Sequence, residues 1–264
     1  MNIERKVIWI TGASSGIGEA LAYEFNKKGA RLILSARRTE ELERVKNNCT
    51  NHEEHVRILP LDLTEADLMQ QKTDTATELF GSIDMLINNG GISQRATAVD
   101  ANMETIRKIM EVNFFGTIAL TKAVLPGMIS NKSGHIVTIS SVMGKFGTKQ
   151  RSAYAASKHA LQGWFDCLRQ EMYEHNVEVT VVCPGYVQTD ITVHALTADG
   201  DKFNKMGEGQ KNAMSPDEFA RKLIPKLARG KEEIYIGGAE IMAVYLKRLS
   251  PNLLNKLLRR MKVT

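Results

Sequence analysis

Short apolar runs alternate with stretches of helical periodicity along most of the chain. The runs are rich in β-branched residues and nearly all apolar: Val7–Ile10, Leu32–Ser35, Val56–Leu61, Met85–Asn88, His135–Ser140, Val177–Cys183 and Ile234–Ile236. Runs of this kind are typical of strands that are buried on both faces of a sheet. We therefore predict seven strands in the core.

The segments between these runs place apolar residues three or four positions apart. The clearest of them are Glu19–Lys28, Ala66–Phe80, Met103–Ser130 and Ser152–His175. Strands that alternate with helices predict βαβ units, a parallel sheet and right-handed crossovers. Since no repeat, linker or change of composition divides the chain, we predict one α/β domain over residues 1–244. Its sheet should be seven-stranded, parallel and doubly wound, with helices on both faces.

Two segments stand apart from this alternation. Residues 192–215 are polar and weakly periodic, and this pattern predicts a lid over the substrate site. Residues 245–264 form a tail with leucines at near-helical spacing, six Lys or Arg and no Asp or Glu. One interpretation places the tail as an amphipathic helix on an anionic membrane surface. The alternative packs it on the body of the protein, or across a subunit interface, with its charges in water.

The composition excludes several classes of protein. Of the 264 residues, 43% are hydrophobic and 25% are charged, which suits a globular protein with a sizeable core. The six positive charges of the tail exceed the formal net charge of +5, so the rest of the chain is close to neutral. A basic groove for nucleic acid across the domain is therefore not indicated. The three cysteines lie far apart in sequence, which argues against a disulfide framework or a CxxC metal site.

No apolar run reaches about 18 residues, so we expect no membrane-spanning helix. The chain also leads almost directly into its first strand, which leaves no room for a signal peptide. We therefore expect a cytoplasmic location, peripheral at the membrane surface if the tail binds lipid.

The first strand runs into Thr11-Gly12-Ala13-Ser14-Ser15-Gly16-Ile17-Gly18 and then into a helix. Glycines in this position allow a tight turn and a close approach of backbone N–H groups to a pyrophosphate. A glycine triplet also occurs in ordinary strand–helix turns, but the strand–turn–helix context favours nucleotide binding.

The end of the second strand indicates which dinucleotide binds. A dinucleotide fold usually places Asp or Glu there to hold the ribose 2′-OH, but this chain has Arg37 and Arg38. A guanidinium pairs well with a 2′-phosphate, so this position favours NADP, with Arg37 as the main anchor. The alternative is two solvated surface arginines. After the third strand, Asp62 either faces the adenine or caps the turn before Glu65.

A set of polar residues follows the later strands. Tyr154 and Lys158 are four positions apart and share one face of a helix, although such a pair alone is common on protein surfaces. Ser141 follows an apolar strand, where ligands bind in doubly wound sheets. Asn113 lies on an apolar helix stripe and must be hydrogen-bonded if it is buried. A purely structural hydrogen bond at Asn113 is compatible with a functional role.

Together these motifs resemble those of the short-chain dehydrogenase/reductases. The matching pieces are Thr11–Gly18, Asp62-Leu63, Asn88-Asn89-Gly90-Gly91, Asn113, Ser141, Tyr154-Ala155-Ala156-Ser157-Lys158, Pro184-Gly185, Val187 and Thr189. The stretches around Arg37 and Asn89 look like the dehydrogenase/reductase SDR family member 7 type. One departure is Gly90, where the family usually has Ala, and we expect slightly looser packing there. Another is Ser15, where many NADP-preferring relatives carry a basic residue.

The resemblance implies a single-domain Rossmann fold and a role for each matching residue. Asn113, Ser141, Tyr154 and Lys158 would be catalytic, with Tyr154 as general acid or base and Asn113 holding a water. Lys158, with the oxidised nicotinamide, is expected to lower the pKa of Tyr154. The cofactor NADP(H) would be held by Gly12, Ser14, Ser15, Gly16, Ile17, Gly18, Arg37, Arg38, Asp62, Leu63, Asn89, Gly90, Tyr154, Lys158, Pro184, Gly185, Val187 and Thr189. No metal is implied because the cofactor is the hydride donor, and the family implies a homodimer or homotetramer.

We therefore expect an NADP(H)-dependent oxidoreductase that interconverts a ketone or aldehyde and an alcohol. The substrate would be an apolar carbonyl compound of small to medium size, because the residues after Ser141 and around Tyr186 and Ile191 are mostly apolar. The cations Arg95, Lys145, Lys149 and Arg151 favour an alternative, a ketoreductase for acyl-carrier-linked or carboxylate-bearing substrates. A third hypothesis is a binding module that senses NADP(H) without chemistry.

Overall fold

The computed structural model describes residues 3–205 and 213–260. In this part of the chain, seven parallel strands form one sheet in the order β3-β2-β1-β4-β5-β6-β7. The strands are β1 (Val7–Thr11), β2 (Arg31–Ser35), β3 (Val56–Ile58), β4 (Met85–Asn88), β5 (Gly134–Ile139), β6 (Val177–Pro184) and β7 (Glu233–Ile236). The predicted doubly wound parallel sheet is confirmed, and its strand order reverses between β1 and β4.

Helices cover both faces of the sheet. They are α1 (Gly16–Asn26), α2 (Thr39–Asn47), α3 (His52–His55), α4 (Met69–Phe80), α5 (Met103–Met110), α6 (Gly116–Ser130), α7 (Ser152–Met172), α8 (Pro216–Leu227), α9 (Met242–Leu249) and α10 (Pro251–Arg260). Helices α2 and α8 were not among the helices that the sequence predicted. Strand β3 ends at Ile58, before the predicted Leu61, although Leu59 N and Leu61 N still donate hydrogen bonds to the carbonyls of Leu34 and Ala36.

Successive residues of each strand pack on opposite faces of the sheet. In β1, Ile10 belongs to a core that includes Phe25 of α1 and Phe219 of α8. The neighbouring Trp9 belongs to the opposite core, with Phe165 of α7. All five side chains are completely buried. Burial on both faces explains why the strand segments are nearly continuous apolar runs.

The predicted helix over Met103–Ser130 is interrupted in the structure. A π-helical turn, Glu111–Phe115, separates α5 from α6. By length and composition alone, Met103–Ser130 qualifies as a membrane span, which the sequence analysis did not expect. Half of its most apolar part is buried inside the protein, and core helices of globular proteins meet the same criterion. The segment is a structural part of the α/β layer.

The C-terminal tail packs on the body of the protein. Val244 of α9 and Leu254 of α10 form a small core with Val142 and Phe146, which follow β5. The Nζ atom of Lys149 donates a hydrogen bond of 3.1 Å to the carbonyl of a residue in the last turn of α10, a favourable position for a cation. Residues 261–264 of the tail and 206–212 of the predicted lid lie outside the described residues.

Candidate active site

The loop between β1 and α1 brings backbone segments very close together at three glycines. Gly12 and Gly16 have φ angles of +64° and +58°, in the left-handed region that favours glycine. A Cβ on Gly16 would lie 2.9 Å from Cγ2 of Thr189, and a Cβ on Gly18 would overlap the Gly12 carbonyl. These absent side chains leave a cradle at the N-terminus of α1, where a pyrophosphate fits.

The ends of β1 and β4 are held together where the strand order reverses. The hydroxyl of Thr11 accepts hydrogen bonds of 3.0 Å from the backbone N–H groups of Asn89 and Gly90. The side-chain amide of Asn89 in turn donates to the carbonyls of Thr11 and Gly12, at 3.0 and 3.2 Å. The predicted residues Asn89 and Gly90 therefore form one wall of the glycine loop, at the position where dinucleotides bind in this architecture.

The residues after β3 support this wall. Asp62 Oδ1 accepts hydrogen bonds from the backbone and hydroxyl of Thr64 at 3.0 and 2.9 Å, so Asp62 caps the turn, as the alternative interpretation held. Leu63 is buried, and its Cδ1 would lie 2.7 Å from a Cβ on Gly90. The expected looser packing at Gly90 is therefore wrong, because Leu63 occupies the space of the missing methyl group.

Two exposed arginines follow β2. The Nη2 atom of Arg38 donates hydrogen bonds to the hydroxyls of Ser14 and Ser15, at 3.2 and 3.4 Å. In the described part of the chain, the side chain of Arg37 forms no hydrogen bond or ion pair. Arg38 is thus fixed against the glycine loop, while Arg37 remains available to a ligand.

Tyr154, Lys158 and Ser141 meet at the carboxyl end of β5. The Nζ atom of Lys158 lies 5.8 Å from the centre of the Tyr154 ring and donates a 2.8 Å hydrogen bond to the carbonyl of Ile139. Ser141 begins the helical turn after β5, and its hydroxyl accepts a 3.1 Å hydrogen bond from Met143 N. The three predicted catalytic side chains line one cavity.

Burial governs the acidity of this group of side chains. Lys158 is only 5% exposed, and desolvation lowers its pKa to about 8. Burial raises the pKa of Tyr154, although the charge of Arg151 and a hydrogen bond with Ser141 act in the opposite direction. The expected lowering of the Tyr154 pKa concerns the state with the oxidised nicotinamide bound, and it stays a prediction. In the protein alone, the raised pKa keeps the phenol protonated at neutral pH.

Asn113 lies in the π-helical turn and is completely buried. Its Nδ2 atom donates to the carbonyl of Ile92 and to the hydroxyl of Ser157, each at 2.9 Å. Its Oδ1 atom accepts a 2.8 Å hydrogen bond from Ile92 N. Both donors are used, so the side chain positions the segment after β4 against α7. Only a second lone pair of Oδ1 is left for a water.

The loop after β6 connects the catalytic group with the glycine loop. Pro184, Gly185, Val187 and Thr189, which are predicted to hold the cofactor, all line the cavity together with Ile17 from the start of α1. The sequence analysis did not identify Glu240, whose Oε1 accepts hydrogen bonds of 2.8 and 3.0 Å from Tyr186 N and Gly238 N. A side chain on Gly185 would overlap this carboxylate, which explains the glycine.

The cavity has a volume of about 980 Å³. The tail contributes an apolar part of its lining, formed by Leu246, Leu249, Leu254, Leu257 and Leu258. Met143 and Phe146 line the cavity from the turn after Ser141. The predicted apolar residues therefore do line the site, but the sequence did not indicate that the tail covers it.

Arg95 and Arg151 also line the cavity, near the phenol. The Cζ atom of Arg151 lies 5.9 Å from the centre of the Tyr154 ring. Both arginines are among the four cations that favoured the alternative of an acyl-carrier-linked or carboxylate-bearing substrate. They are 56 positions apart in sequence, and no periodicity indicates that they converge.

Comparison with known proteins agrees with this geometry. Residues 6–199 match the family described as short chain dehydrogenase. The chain is 44% identical over 253 residues to the Drosophila melanogaster dehydrogenase/reductase SDR family protein 7-like, covering 94% of this chain and 78% of that protein. It is 41% identical over 251 residues to the Homo sapiens dehydrogenase/reductase SDR family member 7, covering 93% and 74%.

Solved structures share the fold. A short-chain dehydrogenase/reductase from Burkholderia phymatum in complex with NAD has a TM-score of 0.85 at 22% identity, and 96% of each chain is covered. A short chain dehydrogenase from Burkholderia cenocepacia in complex with NADP has a TM-score of 0.81 at 24% identity, covering 98% of this chain and 99% of that one. The chain thus belongs to the short-chain dehydrogenase/reductases, as an oxidoreductase of the dehydrogenase/reductase SDR family member 7 type that uses a nicotinamide cofactor.

Proposed function

We propose that the protein is an NADP(H)-dependent oxidoreductase that interconverts a ketone or aldehyde and an alcohol. The observation that carries the proposal is the convergence of Ser141, Tyr154 and Lys158 in a cavity that extends to Ile17 beside the glycine cradle. A site that only sensed the dinucleotide would need no proton donor. The intact group therefore argues against a pure binding module.

Each of these side chains has a separate task in carbonyl reduction. The bound cofactor supplies the hydride that reaches the carbonyl carbon. Ser141 positions the carbonyl oxygen by donating a hydrogen bond, and Tyr154 gives its proton to that oxygen. The cations of Lys158 and Arg151 then stabilise the phenolate. Asn113 keeps Ile92 and Ser157 in place around this group.

The test of this activity is the consumption of NADPH with a panel of steroid, retinoid, quinone, aliphatic and keto-ester substrates. We expect turnover of at least one apolar ketone, and a loss of at least about 100-fold in Tyr154→Phe with NADPH binding retained. Near-normal turnover in Tyr154→Phe removes this residue from the mechanism. Silence across the whole panel, with NADPH still bound, supports the binding module instead.

The preference for NADP rests on the charge around the cradle. The first charged residues after β2 are Arg37 and Arg38, and Arg38 is held against Ser14 and Ser15 by hydrogen bonds. We expect Arg37→Ala and Arg38→Ala to raise the KM for NADPH far more than the KM for NADH. The exposed Arg107 on α5 provides a matched control, since Arg107→Ala should change neither value. An equal effect on both cofactors contradicts the role of the 2′-phosphate.

We also propose that the tail binds an anionic membrane surface, so that the cytoplasmic protein is peripheral to the membrane. Leu249, Leu253 and Leu257 remain 85%, 47% and 45% exposed beside the basic residues of α9 and α10. Exposed leucines next to cations suit the interface of an anionic bilayer. Wild type should co-sediment with anionic vesicles, and Leu249→Ser combined with Leu253→Ser should not. Equal sedimentation of both contradicts membrane contact.

Two further assignments are proposals. For the lid at residues 192–215, the described part places Thr192 at the cavity and pairs Leu196 with Gln94. Limited proteolysis should cleave this segment more slowly when NADPH is bound.

The second proposal is a homo-oligomer, for which Met103 and Phe115 leave apolar surface exposed at 56% and 46%. Analytical ultracentrifugation should show a dimer or tetramer that Phe115→Ser weakens.

A further inference from the structure

Two arginines line the cavity, and no acidic residue in the described part of the chain forms an ion pair with either of them. Arg95 is only 9% exposed, and its Nε atom is buried without a hydrogen-bond partner. Arg151 donates one hydrogen bond from Nη1, to the hydroxyl of Ser93. Among residues 3–205 and 213–260, neither arginine forms an ion pair with Asp or Glu. Buried charges are normally paired, so this pair lacks an anion.

Backbone contacts place the two arginines side by side. Arg95 N donates a 2.7 Å hydrogen bond to the carbonyl of Leu196, and the next residue, Ala96, pairs with Arg151 in a parallel bridge. Burial and the neighbouring charge of Arg95 lower the pKa of Arg151 to about 10. The backbone thus fixes two like charges close to each other. Their proximity is unfavourable unless something neutralises it.

The surrounding groups offset these charges only in part. The Cζ atom of Arg95 lies 5.8 Å from the ring centre of Phe203, and Arg151 lies near the Tyr154 ring. These cation–π contacts leave both positive charges in place. The carboxylate of Glu240, which also lines the cavity, is used by the backbone N–H groups after β6 and β7. Arg151 also precedes the N-terminus of α7, whose dipole adds positive potential.

The proposed cofactor does not account for this pair. Its phosphates would lie at the glycine cradle, where Arg38 contacts Ser14 and Ser15. Neither Arg95 nor Arg151 forms a hydrogen bond with that loop in the described part of the chain. Both arginines line the cavity that Tyr154 also lines, and Arg151 lies beside its ring, so their charge is available to a substrate there.

We propose that the carbonyl substrate of the function proposed above carries an anionic group, a carboxylate or a phosphate monoester, that binds between Arg95 and Arg151. Guanidinium groups suit both anions because their N–H donors form paired hydrogen bonds with two oxygens. The reacting carbonyl lies at Tyr154, and the remaining apolar chain lies under the leucines of α9 and α10. The substrate class is an anionic amphiphile with a ketone near its charged end.

A matched set of ketones tests this proposal by turnover. The set is 4-oxodecanoate, its uncharged methyl ester and 4-oxodecyl phosphate, each measured with NADPH. In wild type, we expect kcat/KM for the better of the two anions to exceed that for the ester. In Arg95→Gln the ratio of anion to ester should fall at least about 30-fold, as expected for charge-assisted hydrogen bonds. Arg95→Lys should restore part of the ratio.

The control is Arg107→Gln, an exposed arginine on α5 that should leave the ratio unchanged. The carboxylate and phosphate arms identify which anion the pair prefers, and a preference for either supports the proposal. If the ratio in Arg95→Gln equals that of wild type, or if the ester is the better substrate of wild type, the proposal is wrong. Circular dichroism and NADPH affinity verify that each variant is folded.

Binding separates this proposal from the proposed reaction. Isothermal titration of the protein–NADPH complex with decanoate, decyl phosphate and decanol requires no turnover. We expect at least one anion to bind more tightly than decanol in wild type, and Arg95→Gln to weaken that anion at least about 10-fold. If this occurs while no ketone is reduced, the anion site stands and the proposed reaction fails. If decanol binds as tightly as both anions, the anion site is wrong whatever the turnover shows.

Discussion

Replacing Lys158 by methionine should stabilise the protein at neutral pH while abolishing its activity. Burial lowers the pKa of Lys158 from 10.5 to about 8, which corresponds to about 3 kcal/mol of unfavourable free energy for the charged form. Methionine has a similar length and carries no charge. It leaves the carbonyl of Ile139 without its donor, which costs about 1 kcal/mol. The free energy of unfolding should therefore rise by about 2 kcal/mol at pH 7.

The pH dependence identifies the origin of this gain. The folded-state pKa of Lys158 lies below that of the unfolded chain, so between pH 8 and 10.5 the unfolded chain binds more protons. Across this interval, the free energy of unfolding of wild type should therefore rise by about 3 kcal/mol relative to that of Lys158→Met. The stability advantage of Lys158→Met should shrink and then change sign.

Urea unfolding of cofactor-free protein at pH 7, 8, 9 and 10 measures this difference. The exposed Lys122 on α6 offers the control Lys122→Met. A stability difference between wild type and Lys158→Met that stays constant from pH 7 to 10 would refute the electrostatic argument. So would a variant that is less stable than wild type at every pH.

Three other substitutions and a pH profile follow from the site. Gly16→Ala should raise the Kd for NADPH at least about 10-fold in fluorescence titrations, because its φ of +58° strains any side chain. Asn113→Ala should lower the free energy of unfolding by at least about 2 kcal/mol in urea, since it removes three buried hydrogen bonds. Gly90→Ala should cost about 1 kcal/mol or less, because only the flexible end of Leu63 must move. In steady-state assays, kcat/KM for reduction should fall as pH rises through about 8, where Lys158 loses its proton. If kcat/KM instead begins to fall only at pH 10 or above, the assignment of this pH dependence to Lys158 is contradicted.

The strands were predictable because both faces of the sheet are covered. The local sequence is sufficient to predict an apolar run such as Met85–Asn88 as a strand, and its predicted bounds agree with β4. The interruption at Glu111–Phe115 was not predictable from periodicity. It coincides with the hydrogen bonds between Asn113 and two distant segments, which the local sequence does not contain.

One missed element did have a local signal. Ser215 accepts a hydrogen bond of 3.1 Å from Glu218 N at the start of α8, and Pro216 occupies the first position of this helix. Ser three residues before Glu, with Pro between them, is a helix-start pattern. The polar segment before Ser215 and the internal Pro225 obscured it. By contrast, the pairing of Ala96 with Arg151 depends on tertiary contacts, so the convergence of the two arginines carried no sequence signal.

The convergence of cations on one phenol connects the stability of the site with its chemistry. Lys158 and Arg151 both flank Tyr154, and both are destabilised by burial while the phenol is neutral. In the proposed reaction, proton transfer to the substrate turns that neutral phenol into an anion. The same positive charges then stabilise the group they surround, with no reorganisation of water or side chains. The cations lower the stability of the resting protein, and they stabilise the phenolate that forms when the proton leaves Tyr154. This is why we expect the most stabilising substitution at this site to be among the most damaging to turnover.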